Sequence, residues 1–143
     1  DAPKFIRCVK YHDRKSLRGS LIYTAPHLLS TLGLKGYRAR IHVYFPAFSR
    51  DELPVVEDFI STIVDHEVFH AQELYYAKPE MIYHPSAQSV PEYDLWNARM
   101  ELRAVRNQIV NAHRRNISKP YLERLLEIEK GKVDFLKLFG IIV

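Results

Sequence analysis

Residues 66–70 read His66-Glu67-Val68-Phe69-His70, the pattern H-E-x-x-H. On a helix, histidines four residues apart stand one turn above each other on the same face, so both imidazoles reach one metal ion. Glu67 lies on the adjoining strip, where a carboxylate holds a metal-activated water and takes its proton. With the 7 His and 10 Glu of this composition, a shuffled chain yields the pattern about 0.02 times. The bland alternative is a buried helix face that holds two satisfied histidines and a glutamate. That alternative is costly, because a carboxylate and two imidazoles buried together need a shared partner. A cation supplies one.

Zinc takes a third protein ligand and leaves a fourth position for water. The extension H-E-x-x-H-x-x-G-x-x-H fails, since the matching positions hold Glu73 and Tyr76. The next helix offers Glu92 and Glu101. Nine residues at about 100° each turn these two to opposite sides of that helix, so only one faces the site. Glu92 fits a capping box with Ser89. Glu101 shares a face with Ala98, Ala104, Val105 and Gln108, where small alanines permit close approach to the first helix. Glu101 is the preferred third ligand and Glu92 the alternative. Two His and one Glu in a tetrahedral site favour Zn²⁺ among divalent metals.

The elements that must carry these residues change character along the chain. Residues 21–25 read as a strand. Residues 37–46 alternate Tyr37, Ala39, Ile41, Val43 and Phe45 with Arg38, Arg40, His42 and Tyr44, the period of a half-buried strand. Between them, 26–32 fits a short helical turn before Gly33 and Gly36. A first long helix is predicted over 53–76, with Val56, Phe59, Ile60, Ile63, His70 and Leu74 as its inward stripe. Lys78-Pro79 ends it, and 78–89 is a loop. A second helix runs from Ser89 to about His113, with Pro91 in its first turn. Ser118 and Pro120 start a third, which closes near Gly140. The reading is α+β: a small N-terminal β-sheet followed by three long helices, one domain over 1–143.

Composition agrees. With 47% hydrophobic and 27% charged residues the chain is globular, not a disordered tail. Cys8 is the single cysteine, so no intrachain disulfide exists, and it reads as a small buried hydrophobe. No apolar run approaches the roughly 20 residues of a membrane span. Without a signal-peptide pattern, a cytoplasmic protein is expected. Asp1 in place of Met fits a processed product or a piece of something longer. The net charge is +4. Its clusters, Lys10, Arg14, Lys15 and Arg18, then Arg99, Arg103, Arg106, Arg114 and Arg115, read first as solvated faces, and nucleic acid is an unlikely partner. The third helix is apolar on more than one side, and with Ile141-Ile142-Val143 it suits core cover or self-association.

On these residues the chain resembles the gluzincin metallopeptidases, and within them the small minigluzincins. The resemblance covers roughly 37–108 and rests on His66-Glu67-x-x-His70 with Glu101-x-x-Ala104 on the following helix. It implies a minimal zincin-like domain and a zinc-dependent endopeptidase. His66, His70 and Glu101 would hold Zn²⁺, and Glu67 would act as general base before passing the proton to the leaving amine. It also implies that residues 38–45 are a sheet edge that pairs with extended peptide substrate. Donors for the developing oxyanion would come from Tyr83, His84, Tyr93, Arg99 or Arg103. Asp65, Asn97 and Gln108 are candidates to orient the histidines. The competing function is a non-catalytic or latent zinc-stabilised interaction module, against which Glu67 argues, because a purely structural site has no use for it.

Overall fold

The computed structural model describes residues 2–17, 21–26, 38–76 and 90–143, with the backbone alone at 2, 3, 23, 25, 26 and 90–93. A short helix α1 (Ala2–Phe5) leads into β1 (Ile6–His12), followed by β2 (Ile22–Pro26) and β3 (Ala39–Tyr44). The three strands form one sheet in the order β1-β3-β2, with β1 parallel and β2 antiparallel to β3. The expected alternation holds in β3 from Ala39 to Val43: Ala39, Ile41 and Val43 are buried, while Arg40 and His42 are half-buried on the opposite face; Tyr44, expected outward, is buried. Ile22 and Thr24 lie beside Val43 and Ile41 in register, so they share the inward face. Phe45 leaves the pattern. It opens a 3-10 turn (Phe45–Phe48) and is exposed.

β3 is therefore a central strand, and the expectation that 38–45 forms the sheet edge is overturned. Both of its flanks are paired, so no backbone groups remain there for a peptide. The cause is β1, whose Ile-Arg-Cys-Val-Lys-Tyr-His run carries β-branched and aromatic residues at strand spacing but no strong apolar alternation. Once β1 pairs, β3 lies between the largely exposed β1 and β2. Cys8, expected to be buried, is exposed on this edge strand.

Three helices follow. The first, α2, spans 56–76 in three pieces: α-helical Val56–Ile60, a π-helical stretch Ser61–Glu67, and α-helical Val68–Tyr76. The second, α3, is Val90–Arg115, ending at Asn116 in the left-handed conformation (φ 56°). The third, α4, is Lys119–Leu138, with the Ser118 hydroxyl accepting from the Tyr121 amide as its N-cap. Of the short helical turn predicted at 26–32, Pro26 instead ends β2; its remainder, 27–32, and the loop at 78–89 lie outside the described residues. Ile22, Ile41, Val43, Leu53, Val105, Tyr121 and Leu125 form the main apolar core. Ala98 and Leu102 pack on Leu136 of α4. Leu126, Leu138 and Phe139 of the last helix and its end are exposed. Among the described residues no helix is long and apolar enough to cross a membrane.

The expected stripe of α2 holds in part. His70 is buried, and Phe59, Ile63 and Leu74 pack partly buried against the core, but Val56 and Ile60 are exposed, and the fully inward positions are mostly polar: Asp58, Ser61, Asp65 and Glu67, with His70 and Ala71. A polar helix face inside a protein is stable only when its groups are bonded. Asp58 is fully buried and meets that demand three ways. It accepts from the Val55 amide at 3.2 Å, and from the Ser118 amide and hydroxyl at 2.7 Å each. One carboxylate thus caps the start of α2 and ties down the start of α4. Asp58→Ala leaves these donors unpaired and lowers the unfolding free energy by about 3 kcal/mol. A urea titration measures it as a lower midpoint at unchanged slope; a midpoint equal to that of the wild type would mean that the carboxylate is not the clamp.

Candidate metal centre

The π stretch of α2 has identifiable causes. A side chain that enters the helix ladder from outside diverts its hydrogen bonds. Two do so here. Asn107 of α3 donates its amide to the Asp65 carbonyl at 2.8 Å, and the Thr24 hydroxyl of β2 lies 3.0 Å from the Glu67 carbonyl. The π stretch ends at Glu67, with the Val68 amide bonded five residues back to the Ile63 carbonyl. His66 and Glu67 are thus the last two residues of the irregular turn, and His70 is in the regular helix beyond it.

The three expected ligands meet. His66 Nε2 lies 3.1 Å from Glu101 Oε2, His70 Nε2 lies 3.0 Å from Glu101 Oε1, and the two Nε2 atoms are 3.1 Å apart. The imidazoles stand edge to face, with ring planes at 86°. A tetrahedral zinc with bonds of about 2.05 Å sets its ligand atoms about 3.3 Å apart. The nitrogen–nitrogen separation and each histidine's nearer Glu101 oxygen are close to that edge length, and with one oxygen taken for Glu101 the three ligand atoms lie within 4.8 Å of one another. Glu92, the alternative ligand, has its side chain outside the described residues. The 180° argument that opposes it to Glu101 is unaffected.

A relay of hydrogen bonds sets the tautomer of neutral His66. His66 Nδ1 is 2.8 Å from Gln108 Oε1, and the Gln108 amide nitrogen is 3.0 Å from the Tyr121 hydroxyl and 3.2 Å from Ser61 Oγ. Tyr121 also meets Thr62, whose hydroxyl donates to the Asp58 carbonyl at 2.8 Å. With the Thr62 proton committed there, Tyr121 donates to Thr62 and accepts from Gln108. That direction fixes the amide, so Gln108 presents its oxygen to His66, and Nδ1 carries the hydrogen. A neutral His66 then turns a lone pair toward His70 Nε2 and Glu101. If both imidazoles were protonated at Nε2, two N–H groups would point at each other across 3.1 Å. One cation at the centre resolves all three contacts at once, and the donor set of two imidazoles and a carboxylate fits zinc.

The electrostatics point the same way. Burial acts to raise Glu101, yet hydrogen bonds and charge from His66 and His70 hold its carboxyl well below the usual range. Burial acts to lower His66, but its hydrogen bond to Glu101 and the charges of Glu67 and Glu101 outweigh that and hold the imidazole above its ordinary value. Glu67 is pushed up, first by burial, against the pull of His66, His70 and the Thr24 hydroxyl. Each shift has its cause in the partner of opposite charge: the imidazoles favour the Glu101 carboxylate, and the two carboxylates favour the protonated form of His66. Two arginines of α3 pair with α2 instead: Arg103 with Glu73 at 2.8 Å, and Arg115 with both oxygens of Asp65 at 2.9 and 3.1 Å.

Of the residues expected to orient the histidines, Gln108 does so. Asp65 serves Arg115 instead, and Asn97 has no hydrogen bond to either imidazole. His70 Nδ1 is buried without a partner among the described residues. Of the oxyanion candidates, Arg103 is tied to Glu73 and Arg99 is exposed. Tyr83, His84 and the Tyr93 side chain lie outside the described residues. Sequence reasoning missed Tyr121, Ser61 and Thr24. Nothing local in the sequence marks them, because their partners lie 13 to 47 residues away. The basic helix face is largely internal pairing, with Arg106 bound to Glu129 besides the arginines above. No family model, curated protein or solved structure matches the chain.

Gln108→Leu removes the acceptor that sets the His66 tautomer while filling similar space. Zinc affinity falls about 10- to 100-fold, measured by competition with a chromogenic chelator, and an unchanged affinity would show that the relay does not orient the ligand.

Proposed function

We propose that the chain is a zinc-dependent metallopeptidase of the gluzincin type, with Glu67 as general base. The observation that carries the reading is the convergence of His66, His70 and Glu101 on one point, with the Glu67 carboxyl buried on the adjoining strip of the same helix. When bound, Zn²⁺ supplies a Lewis acid that polarises a carbonyl and makes water a nucleophile at neutral pH.

The residues of the chain do the rest. His66, His70 and Glu101 would hold the centre from two helices, and the Gln108 relay places the hydrogen of neutral His66 on Nδ1, which leaves Nε2 as its ligating nitrogen. Glu67 takes a proton from the attacking water and returns it to the leaving amine. Burial raises its proton affinity, which suits a group that must first accept and then donate. The substrate is an extended peptide. With β3 enclosed, the edge that fits it is β2, which carries Thr24 beside Glu67. Strand addition there gives main-chain hydrogen bonds that are tolerant of sequence.

The competing function is a zinc-stabilised interaction module without turnover, and one experiment separates the two. Wild type and Glu67→Gln are loaded with zinc, their metal content is measured, and both are given a mixed peptide library. One equivalent of zinc in each, with cleavage reduced about a thousandfold in the variant, is the expected result. Zinc in both with cleavage in neither would overturn the peptidase reading in favour of the module. A wild type that takes up no zinc would overturn both.

A further inference from the structure

Thr24 is a half-buried hydroxyl on β2, in register with Ile41 and facing the helices. Its oxygen lies 2.6 Å from Glu67 Oε2 and 3.0 Å from the Glu67 carbonyl. The hydroxyl has one hydrogen for these two acceptors, and the shorter contact assigns it to the side-chain carboxyl, with the Glu67 carbonyl alongside. The 2.6 Å separation is that of a charge-assisted O–H···O bond. We infer that Thr24 is a positioning residue for Glu67, holding its carboxyl against the sheet edge and toward the two imidazoles.

Three features support this. A glutamate side chain has three rotatable bonds, and burial alone does not choose among its rotamers. Among the described residues, Thr24 is the hydrogen-bond partner of the Glu67 carboxyl, so the choice falls to this contact. The hydroxyl is also both donor and acceptor. It donates to the Glu67 carboxylate at 2.6 Å, a contact that exists only with the carboxyl turned to β2, so the hydroxyl sets the direction in which the carboxyl faces. Finally, β2 is the strand on which the proposed substrate pairs, so the base is held to the element that would carry the scissile bond. The kinetic part of this inference rests on the proposed peptidase reading; the positional part does not.

The test compares Thr24→Val, which keeps the shape and removes the hydroxyl, with Thr24→Ser, which restores it. All forms are zinc-loaded and checked for metal content and melting temperature. Their Glu carboxyl groups are labelled with ¹³C, and Glu67→Gln identifies the Glu67 resonance. In the valine variant the Glu67 resonance moves from its wild-type position with zinc content unchanged. There kcat falls about 10- to 100-fold at a KM within about twofold, as removal of an orienting partner does. The serine variant returns both toward wild type. An unmoved resonance in Thr24→Val overturns the inference. So does a loss of rate that merely follows lost zinc or lost fold. If the zinc-loaded wild type cleaves nothing, the peptidase reading fails, and the resonance still decides whether Thr24 holds Glu67.

Discussion

Two imidazole nitrogens, His66 Nε2 and His70 Nε2, lie 3.1 Å apart inside the protein, each against a different oxygen of the Glu101 carboxylate. In a medium of low effective dielectric this is unfavourable unless positive charge sits among them. Two helices must be locked together to sustain it, because relaxation of either would separate the ligands. The locks are visible. Asn107 and Arg115 of α3 both hold Asp65 of α2, and Arg103 holds Glu73. These contacts flank the ligands on both sides along α2. The Arg103–Glu73 pair is half-exposed and contributes little to stability. The Arg115–Asp65 pair is bidentate with its carboxylate buried, which gives orientation as well as attraction.

The same constraint explains why the inner face of α2 is polar. An apolar stripe would bury more surface, and each buried Val or Leu would contribute about 1.5–3 kcal/mol. Asp58, Ser61, Asp65 and Glu67 forgo that gain. Each instead has a partner on a different element: Asp58 with Ser118, Ser61 with Gln108, Asp65 with Arg115, Glu67 with Thr24. A net hydrogen bond contributes only about 1 kcal/mol, whereas one left unmade inside costs 1–3. The arrangement adds modest stability but penalises every alternative packing, because any slip of α2 against its neighbours orphans several groups at once. That is what a site of fixed geometry needs.

Chemistry written in local spacing was legible in the sequence, and chemistry written in long-range contact was not. The histidine spacing and Glu67 are fixed by one helical turn. Glu101 followed from helical geometry and small neighbours, although Ala98 proves to face α4 rather than the site. The alternation of β3, the Ser118 cap and the α+β order are local signals of the same kind. The missed features all depend on pairing across the chain. β1 lacks a clean alternation because it is exposed at most positions, so nothing marked it, and without it β3 looked like an edge. The π stretch and the misread stripe of α2 depend on Asn107 and Thr24 entering the helix from 42 and 43 residues away. A 3.6-residue period cannot register a turn whose hydrogen bonds are diverted from outside.

The last helix shows how far the site extends. Read by composition, α4 is a cover for the core, and Leu125 and Leu136 do serve that purpose. Tyr121 adds a second role. Its ring lies in the main core, while its hydroxyl gives direction to a chain of hydrogen bonds that ends on His66 Nδ1. With phenylalanine at that position the core contact would remain, but the Gln108 amide would lose the acceptor that settles its orientation. An amide turned over would present N–H to an N–H at His66 and drive the hydrogen to Nε2, the nitrogen a metal needs. The fit of α4 on the core therefore reaches the ligand set through one hydroxyl. Asp58, by fixing where α4 begins, fixes where that hydroxyl lies.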